Sequence, residues 1–374
     1  MPKAPLIALI AVIALVGLGF GGRLYATRAM SSRAVAAKTL GANTPASVGI
    51  PFSRVAIETG GHTLIGWWVR ARADSGKAAP ALLFMHGNRS SISDYVNLQK
   101  FLYKQGVSSL VYDYSGFGAS GGAPSLKSAI ADAGTVARVF ADSAGPRARK
   151  VAMGSALGAT VLLQAIDSVQ PHVNGVIVEG VAASVREAAV RDGRLPKLVA
   201  PLVVDLADNV IAARAVKVPL LAVHSYADQR FPIEDAQRVV AAVPAQYSLV
   251  RHWRKGHSAI LSSTRVCDWD PVLKFVRTGA LPATRVDSTD QCAVAAQLAA
   301  AQKAVVTPAG ATTDARATAT PGKTTVTKAA PKPATSTKTA TSTQSTSTKT
   351  KATAINTKTP PTKTSKAPAS TKRP

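Results

Sequence analysis

Lys150-Val151-Ala152-Met153-Gly154-Ser155-Ala156-Leu157-Gly158-Ala159-Thr160 is the stretch whose reading decides the fold. A short apolar run ends at Met153, small residues follow, and a second apolar run opens at Ala159. That order suits a buried strand breaking sharply into a helix. At such a turn strand and helix nearly touch, so the residues two before and two after the apex must be tiny. With Ala156 at the apex those neighbours are Gly154 and Gly158. With Ser155 at the apex they are Met153 and Leu157, whose side chains would clash. The frame is therefore centred on Ala156, and Ser155 takes the apex only after a local rearrangement.

Working outward, the flanking sequence alternates strand and helix. Arg54–Thr59 and Thr63–Val69 alternate as a hairpin about Gly60-Gly61. Ala81–Met85 is short and wholly apolar, as expected of a strand covered on both faces of a parallel sheet. Helical spacing over Ile92–Gln105 leads to a strand at Ser108–Tyr112. A helix over Ser125–Ser143 leads to the strand Lys150–Met153 and a helix over Ala159–Val169. Gly175–Glu179, Pro219–His224 and Tyr247–Arg251 read as three further strands, with Glu234–Val243 helical between the last two. The fold class is α/β, a doubly wound and mostly parallel sheet.

Composition confines this fold to one part of the chain. Of 374 residues, 45 are Lys or Arg and 20 are Asp or Glu, a formal charge of +25. No Phe, Trp or Tyr occurs beyond Gly279, and residues 301–374 are mainly Thr, Lys, Ala, Ser and Pro. Such a segment cannot bury enough apolar surface to offset its ordering entropy, so disorder is expected there. It carries 13 Lys and Arg against the single Asp314, about half of the excess charge. A basic tail of this kind suits a polyanion such as an acidic lipid or a cell-wall polymer, or serves as a solvated spacer. No aromatics interleave its lysines, so nucleic acid is not indicated.

Ala4–Gly22 carries no charge and is mostly Leu, Ile, Val and Ala. At 1.5 Å per residue it would span roughly 28 Å, enough to cross a bilayer once. Residues 1–24 are expected to be a membrane anchor, with a signal peptide as the rival, and 25–50 a linker. Arg23, Arg28, Arg33 and Lys38 argue for a cytoplasmic side after the span. Cys267 and Cys292, the chain's two cysteines, read either as a disulfide, which suits an oxidising compartment, or as two structural thiols, and the expectation leans to the extracytoplasmic side. The six histidines lack ligand-like spacing, so no metal is expected, and no cofactor is implied.

Three further stretches resemble the α/β-hydrolase superfamily when set beside the turn. Gly154–Gly158 resembles its G-x-S-x-G nucleophile elbow, with Ala156 in the nucleophile's place. His86-Gly87-Asn88, directly after a strand, resembles the oxyanion loop. The resemblance implies that the N–H groups of Asn88 and Leu157 would hold the oxyanion. Tyr112-Asp113-Tyr114-Ser115-Gly116-Phe117-Gly118-Ala119-Ser120 resembles the glycine-rich loop after the fourth strand, and lacks the ending of a phosphate-binding loop. Asp228, four residues before Pro232, and His257, after Gly256, match the acid and histidine in the superfamily's chain order.

The resemblance spans Pro51–Thr278, is closest to the membrane-anchored esterase and serine-aminopeptidase-like branch, and implies hydrolysis of a small ester or amide. The domain expected is 51–278, with residues 181–216 as a small cap and 279–300 as a C-terminal extension. Leu198–Leu206 and the Trp67-Trp68 pair could offer apolar surface, but each reads more simply as core. At Ala156 no acyl-enzyme can form, so weak or absent catalysis is expected. The alternative is a non-catalytic envelope protein, its body binding an acyl-type ligand or a partner and its tail an anionic surface.

Overall fold

The structure, a computed structural model, describes residues 35–72, 78–285, 290 and most of 292–300, with residues 17 and 19–25. Its frame is an eight-stranded sheet of order β1-β2-β4-β3-β5-β6-β7-β8. The strands are β1 (Ser53–Thr59), β2 (His62–Val69), β3 (Ala81–Met85), β4 (Ser108–Tyr112), β5 (Lys150–Ser155), β6 (Gly175–Glu179), β7 (Leu220–Tyr226) and β8 (Tyr247–Lys255). β2 runs antiparallel to both β1 and β4, and every pairing from β4 through β8 is parallel.

Period two along β3 distributes the sheet's side chains between two cores. Leu82 and Phe84 pack with Val111, Val151 and Met153 on one face, while Leu83 and Met85 pack with Leu110, Tyr112 and Ala152 on the other. Helices α1 (Val96–Lys104) and α8 (Val266–Thr278) supply Phe101, Leu102, Trp269 and Phe275 to the first core. Helices α2 (Leu126–Ala144), α3 (Leu157–Gln164) and α7 (Ile233–Ala241) supply Val136, Phe140, Leu162 and Val239 to the second. Fully burying one such side chain contributes about 1.5–3 kcal/mol. Both faces are covered, which is why β3 reads as an unbroken apolar run.

The parallel sheet aligns strand C-termini along one edge, and the loops that leave it build the site. Ser125 caps α2 by accepting from the Ser128 N–H. The helix expected over Ile92–Gln105 opens as a 3-10 turn, Ile92–Tyr95, where the Ile92 N–H donates to Asp113 Oδ1 at 2.9 Å. The helix expected over Ala159–Val169 is divided at Ala165, with α4 (Ile166–Val169) continuing after α3.

Between β6 and β7 lie two short helices, α5 (Val185–Arg191) and α6 (Asn209–Ala213), joined by a 3-10 turn at Ala200–Leu202. The core reading of Leu198–Leu206 holds at Val203 and Leu206, which are packed inward, but fails at Leu198, which is 90% exposed, and at Leu202, which also faces outward; Trp67 and Trp68 are buried. Cys267, on α8, forms a disulfide with Cys292. Among the described residues no helix is long and apolar enough to cross a membrane. The apolar stretch from Ala4 lies largely outside the described residues, and the basic tail wholly so.

Candidate active site

Ala156 stands at the apex of the turn between β5 and α3 with φ 51° and ψ −105°, a conformation rare for any side-chain-bearing residue. The two flanking glycines are sterically obligatory. A Cβ on Gly154 would overlap the Gly158 carbonyl, and one on Gly158 would overlap the carbonyl of Met85 on β3. The Ala156 N–H donates to the Glu179 carbonyl at 2.9 Å, tying the apex to the end of β6.

Ser155 faces away from the role of a nucleophile. It is 1% exposed, and its hydroxyl donates to Glu179 Oε2 at 2.6 Å and lies 3.1 Å from Ser258 Oγ. Burial raises the Glu179 carboxyl pKa above its ordinary value, although the Ser155 and Ser258 hydroxyls oppose that shift.

Asp228 and His257 come together from the loops after β7 and β8. His257 Nδ1 donates to Asp228 Oδ2 at 2.8 Å, and Phe231 meets the imidazole edge-on with ring centroids 4.9 Å apart. Asp228 Oδ1 accepts from the N–H groups of Arg230 at 2.9 Å and Phe231 at 3.1 Å. Burial pushes the Asp228 carboxyl up, but the His257 hydrogen bond, the ring's charge and these two N–H groups outweigh it. Its pKa is held below the ordinary value. His257 Nε2 is shielded from solvent and meets no hydrogen-bond partner among the described residues. In a serine hydrolase the nucleophile's hydroxyl lies on that side of the ring.

Asn88 and Leu157 line the cavity that lies over Ala156. Leu157 opens α3, so its N–H has no partner within the helix. Asn88 Oδ1 accepts from the Ala36 N–H at 2.7 Å. His86 is structural: it is fully buried, its ring centroid lies 4.5 Å from that of Tyr114, and its Nδ1 lies 2.8 Å from the Gly87 carbonyl. The loop after β4 works from below, where Tyr114 donates to the His86 carbonyl at 2.8 Å.

The cavity measures about 480 Å³. Val185, Ala189, Leu195 and Val199 wall it from the segment between β6 and β7, with Phe231 and Leu261 opposite. Three site residues escaped the sequence reading: Glu179, Ser258 and Tyr95, which lines the cavity and has its hydroxyl pKa raised by burial. Glu179 carried a signal, because an acid closing the apolar run Gly175–Glu179 must be buried or at a site. Ser258 and Tyr95 carried none. One further trio of ligand-type residues, Cys267, Asp268 and Cys292, is drawn together. Its two sulfurs are bonded to each other and Asp268 accepts from Ser263 and Arg265, so it offers no metal thiolates.

Known proteins share this architecture. The sequence model of the serine aminopeptidase, S33, family matches residues 76–212. An esterase of Pyrococcus furiosus superposes with a TM-score of 0.51 at 19% identity, over 65% of this chain and 96% of that one. The chain has the α/β-hydrolase fold, and residues 76–212 are similar to the serine aminopeptidase, S33, family. An uncharacterized protein of Mycobacterium tuberculosis is 28% identical over 244 residues, 64% of this chain and 85% of that protein. An uncharacterized membrane protein of Saccharomyces cerevisiae is 29% identical over 147 residues, 39% of this chain and 51% of that protein.

Proposed function

We propose that this chain binds an acyl-type ligand in a hydrolase site whose acyl-enzyme route is closed. One observation carries the reading: the turn, the His257–Asp228 pair and the lined cavity are all retained, yet the apex is Ala156. Ester or amide hydrolysis through a serine needs an Oγ at the apex, within reach of the imidazole. Ser155 does not supply it, because it is not the apex residue and its hydroxyl is spent on Glu179 and Ser258. What remains is a histidine beside backbone donors, able to activate a water at best. Sites deprived of a triad member retain on the order of 10³–10⁴ over the uncatalysed rate.

Ester turnover and labelling by a serine-directed fluorophosphonate test this on the native protein, Ala156→Ser and Ser155→Ala. The native protein should not label and should turn over ester no faster than that residual rate, and Ala156→Ser should label and turn over well above it. Native activity that Ser155→Ala abolishes would overturn the reading and establish a working serine hydrolase.

We also propose that residues 4–22 anchor the chain in a membrane with the body on the extracytoplasmic side. The apolar composition of that stretch supports this, as does the disulfide between Cys267 and Cys292, a bond suited to an oxidising compartment. Protease protection in sealed vesicles tests both halves: a body degraded without permeabilisation when the extracytoplasmic face is outward supports the assignment, and a protected body refutes it.

A further inference from the structure

We propose that the outer face of the segment between β6 and β7 docks on the surface of an anionic lipid bilayer. The proposal rests on the anchor reading above and names the face of the body that meets the lipid.

The segment has two faces with different needs. Inward, Leu195 and Val203 pack with Ala189, and Leu195 and Val199 wall the cavity. Outward, residues 196–204 expose Pro196, Lys197, Leu198, Pro201, Leu202 and Val204. All but the lysine are apolar, with Leu198 90% and Leu202 62% exposed. Single exposed apolar residues are ordinary, but a run of them in place of a polar loop marks a contact surface. Leu198 lies between Pro196 and Val199, both of which line the cavity, so this surface borders the site.

Charge identifies the partner. Lys197 and Arg230 are exposed beside the cavity, as is Arg89, between the lining residues Asn88 and Ser90. No ion pair among the described residues includes any of the three. The one acid among the lining residues, Asp192, is already paired with Arg194. An apolar surface flanked by such cations suits an anionic bilayer. Its leucines would enter the acyl boundary by about 5–10 Å, while the Lys and Arg heads reach back to the lipid phosphates.

The tether from the apolar stretch leads to the same rim. The Ala36 N–H donates to Asn88 Oδ1 at 2.7 Å, the Arg89 N–H to the Ala36 carbonyl at 3.0 Å, and the Gly41 N–H to Ser93 Oγ at 2.9 Å. Lys38 Nζ pairs with Asp94 Oδ1 at 2.6 Å. Gly22, where the apolar stretch ends, and Val35 are 13 residues apart. Fully extended, that connection reaches about 45 Å, which is also about the width of a body of this length. With the rim turned to the bilayer the tether can be slack. With the body inverted it would have to run fully extended along the whole width.

Tryptophan fluorescence on the full-length protein tests the proposal, in vesicles of phosphatidylcholine and phosphatidylglycerol brominated near the ester end of the acyl chain. Leu198→Trp and Leu202→Trp should each lose to the bromines most of the emission they add over the native chain. Tyr247→Trp should keep its own, because Tyr247 is exposed where β8 opens, at the opposite end of that strand from the site. Adding Lys197→Glu to Leu198→Trp should reduce the quenching, and quenching left unchanged would overturn the anionic preference. An alkaline carbonate wash reads the anchor separately. A chain that survives the wash with all three probes unquenched would overturn the docking face and leave the anchor standing. A chain removed by the wash, yet quenched beforehand at Leu198→Trp and not at Tyr247→Trp, would overturn the anchor and support the docking face. Equal quenching of all three would overturn the assignment to this face, and a chain that never binds the vesicles would overturn both readings.

Discussion

At the scale of single residues, three positions around the turn carry opposite energetic demands. Gly158 has no room for a methyl group because the Met85 carbonyl occupies the space. Backbone cannot retreat as a flexible side chain can, so Gly158→Ala should lower stability by about 3 kcal/mol or yield no folded protein. Thermal denaturation reads this directly. Ala156 has the reverse problem, since its φ of 51° with ψ −105° suits glycine. Strain of this kind costs about 1–3 kcal/mol, and glycine's extra unfolded entropy returns about 0.5–1 of that. Ala156→Gly should therefore stabilise by about 1 kcal/mol, raising the melting temperature by about 2–4 °C in a body of this size. A drop would mean that the turn holds Ala156 without strain. Glu179 supplies a pH-dependent case. Its folded pKa is raised, so between the ordinary carboxylate value and the folded value the native state holds more protons than the unfolded one. Stability then falls as pH rises through that window. Glu179→Gln removes the titration, so its melting temperature relative to the native protein should climb from pH 4.5 towards neutrality. A difference that stays flat across the series would refute the raised carboxyl.

At the scale of elements, the sequence was legible where a residue pattern had one physical cause. β3, β4 and β6 were bounded correctly because strands covered on both faces are apolar throughout and stop where the chain meets solvent or a turn. The apex was legible because two glycines four apart state a steric demand that few other structures make. The 3-10 turn at Ile92–Tyr95 was not, since its apolar spacing continues into α1 and only the distant Asp113 carboxylate sets it apart. Leu198 and Leu202 misled for a related reason: apolar residues read as core, while here they lie on the outside of the segment that walls the cavity. Ser258 and Tyr95 had no local signature, because their roles exist only after the loops converge. The disulfide gives this scale its own prediction. It links α8 to the extension across a separation of 25 residues, and a loop of that order constrains the unfolded chain by about 3 kcal/mol. Cys292→Ser should lower the free energy of guanidinium unfolding by about that amount. A loss below about 0.5 kcal/mol would mean that the extension contributes little to the body.

At the scale of the whole molecule, the chain distributes its tasks unevenly. The catalytic-type pair, the cavity and the turn lie within one α/β body, while about half of the excess positive charge lies in residues 301–374. A segment with 13 basic residues and one acid attracts anionic surfaces through many weak contacts, each screened by salt within a Debye length of about 10 Å at 0.1 M. If the tail grips such a surface, deleting residues 301–374 should weaken co-sedimentation with anionic-lipid vesicles at low ionic strength while leaving binding to neutral-lipid vesicles, which the N-terminal apolar stretch supplies, unchanged. The intact chain should retain more binding than the deletion at low salt and lose that advantage by about 0.5 M. Body and tail carry separate chemistry, so ester turnover by Ala156→Ser should be unchanged by the deletion. Vesicle binding that survives the deletion undiminished would assign the membrane contact to the N-terminal apolar stretch or to the exposed Leu198–Leu202 surface instead, and would leave the tail as a solvated spacer.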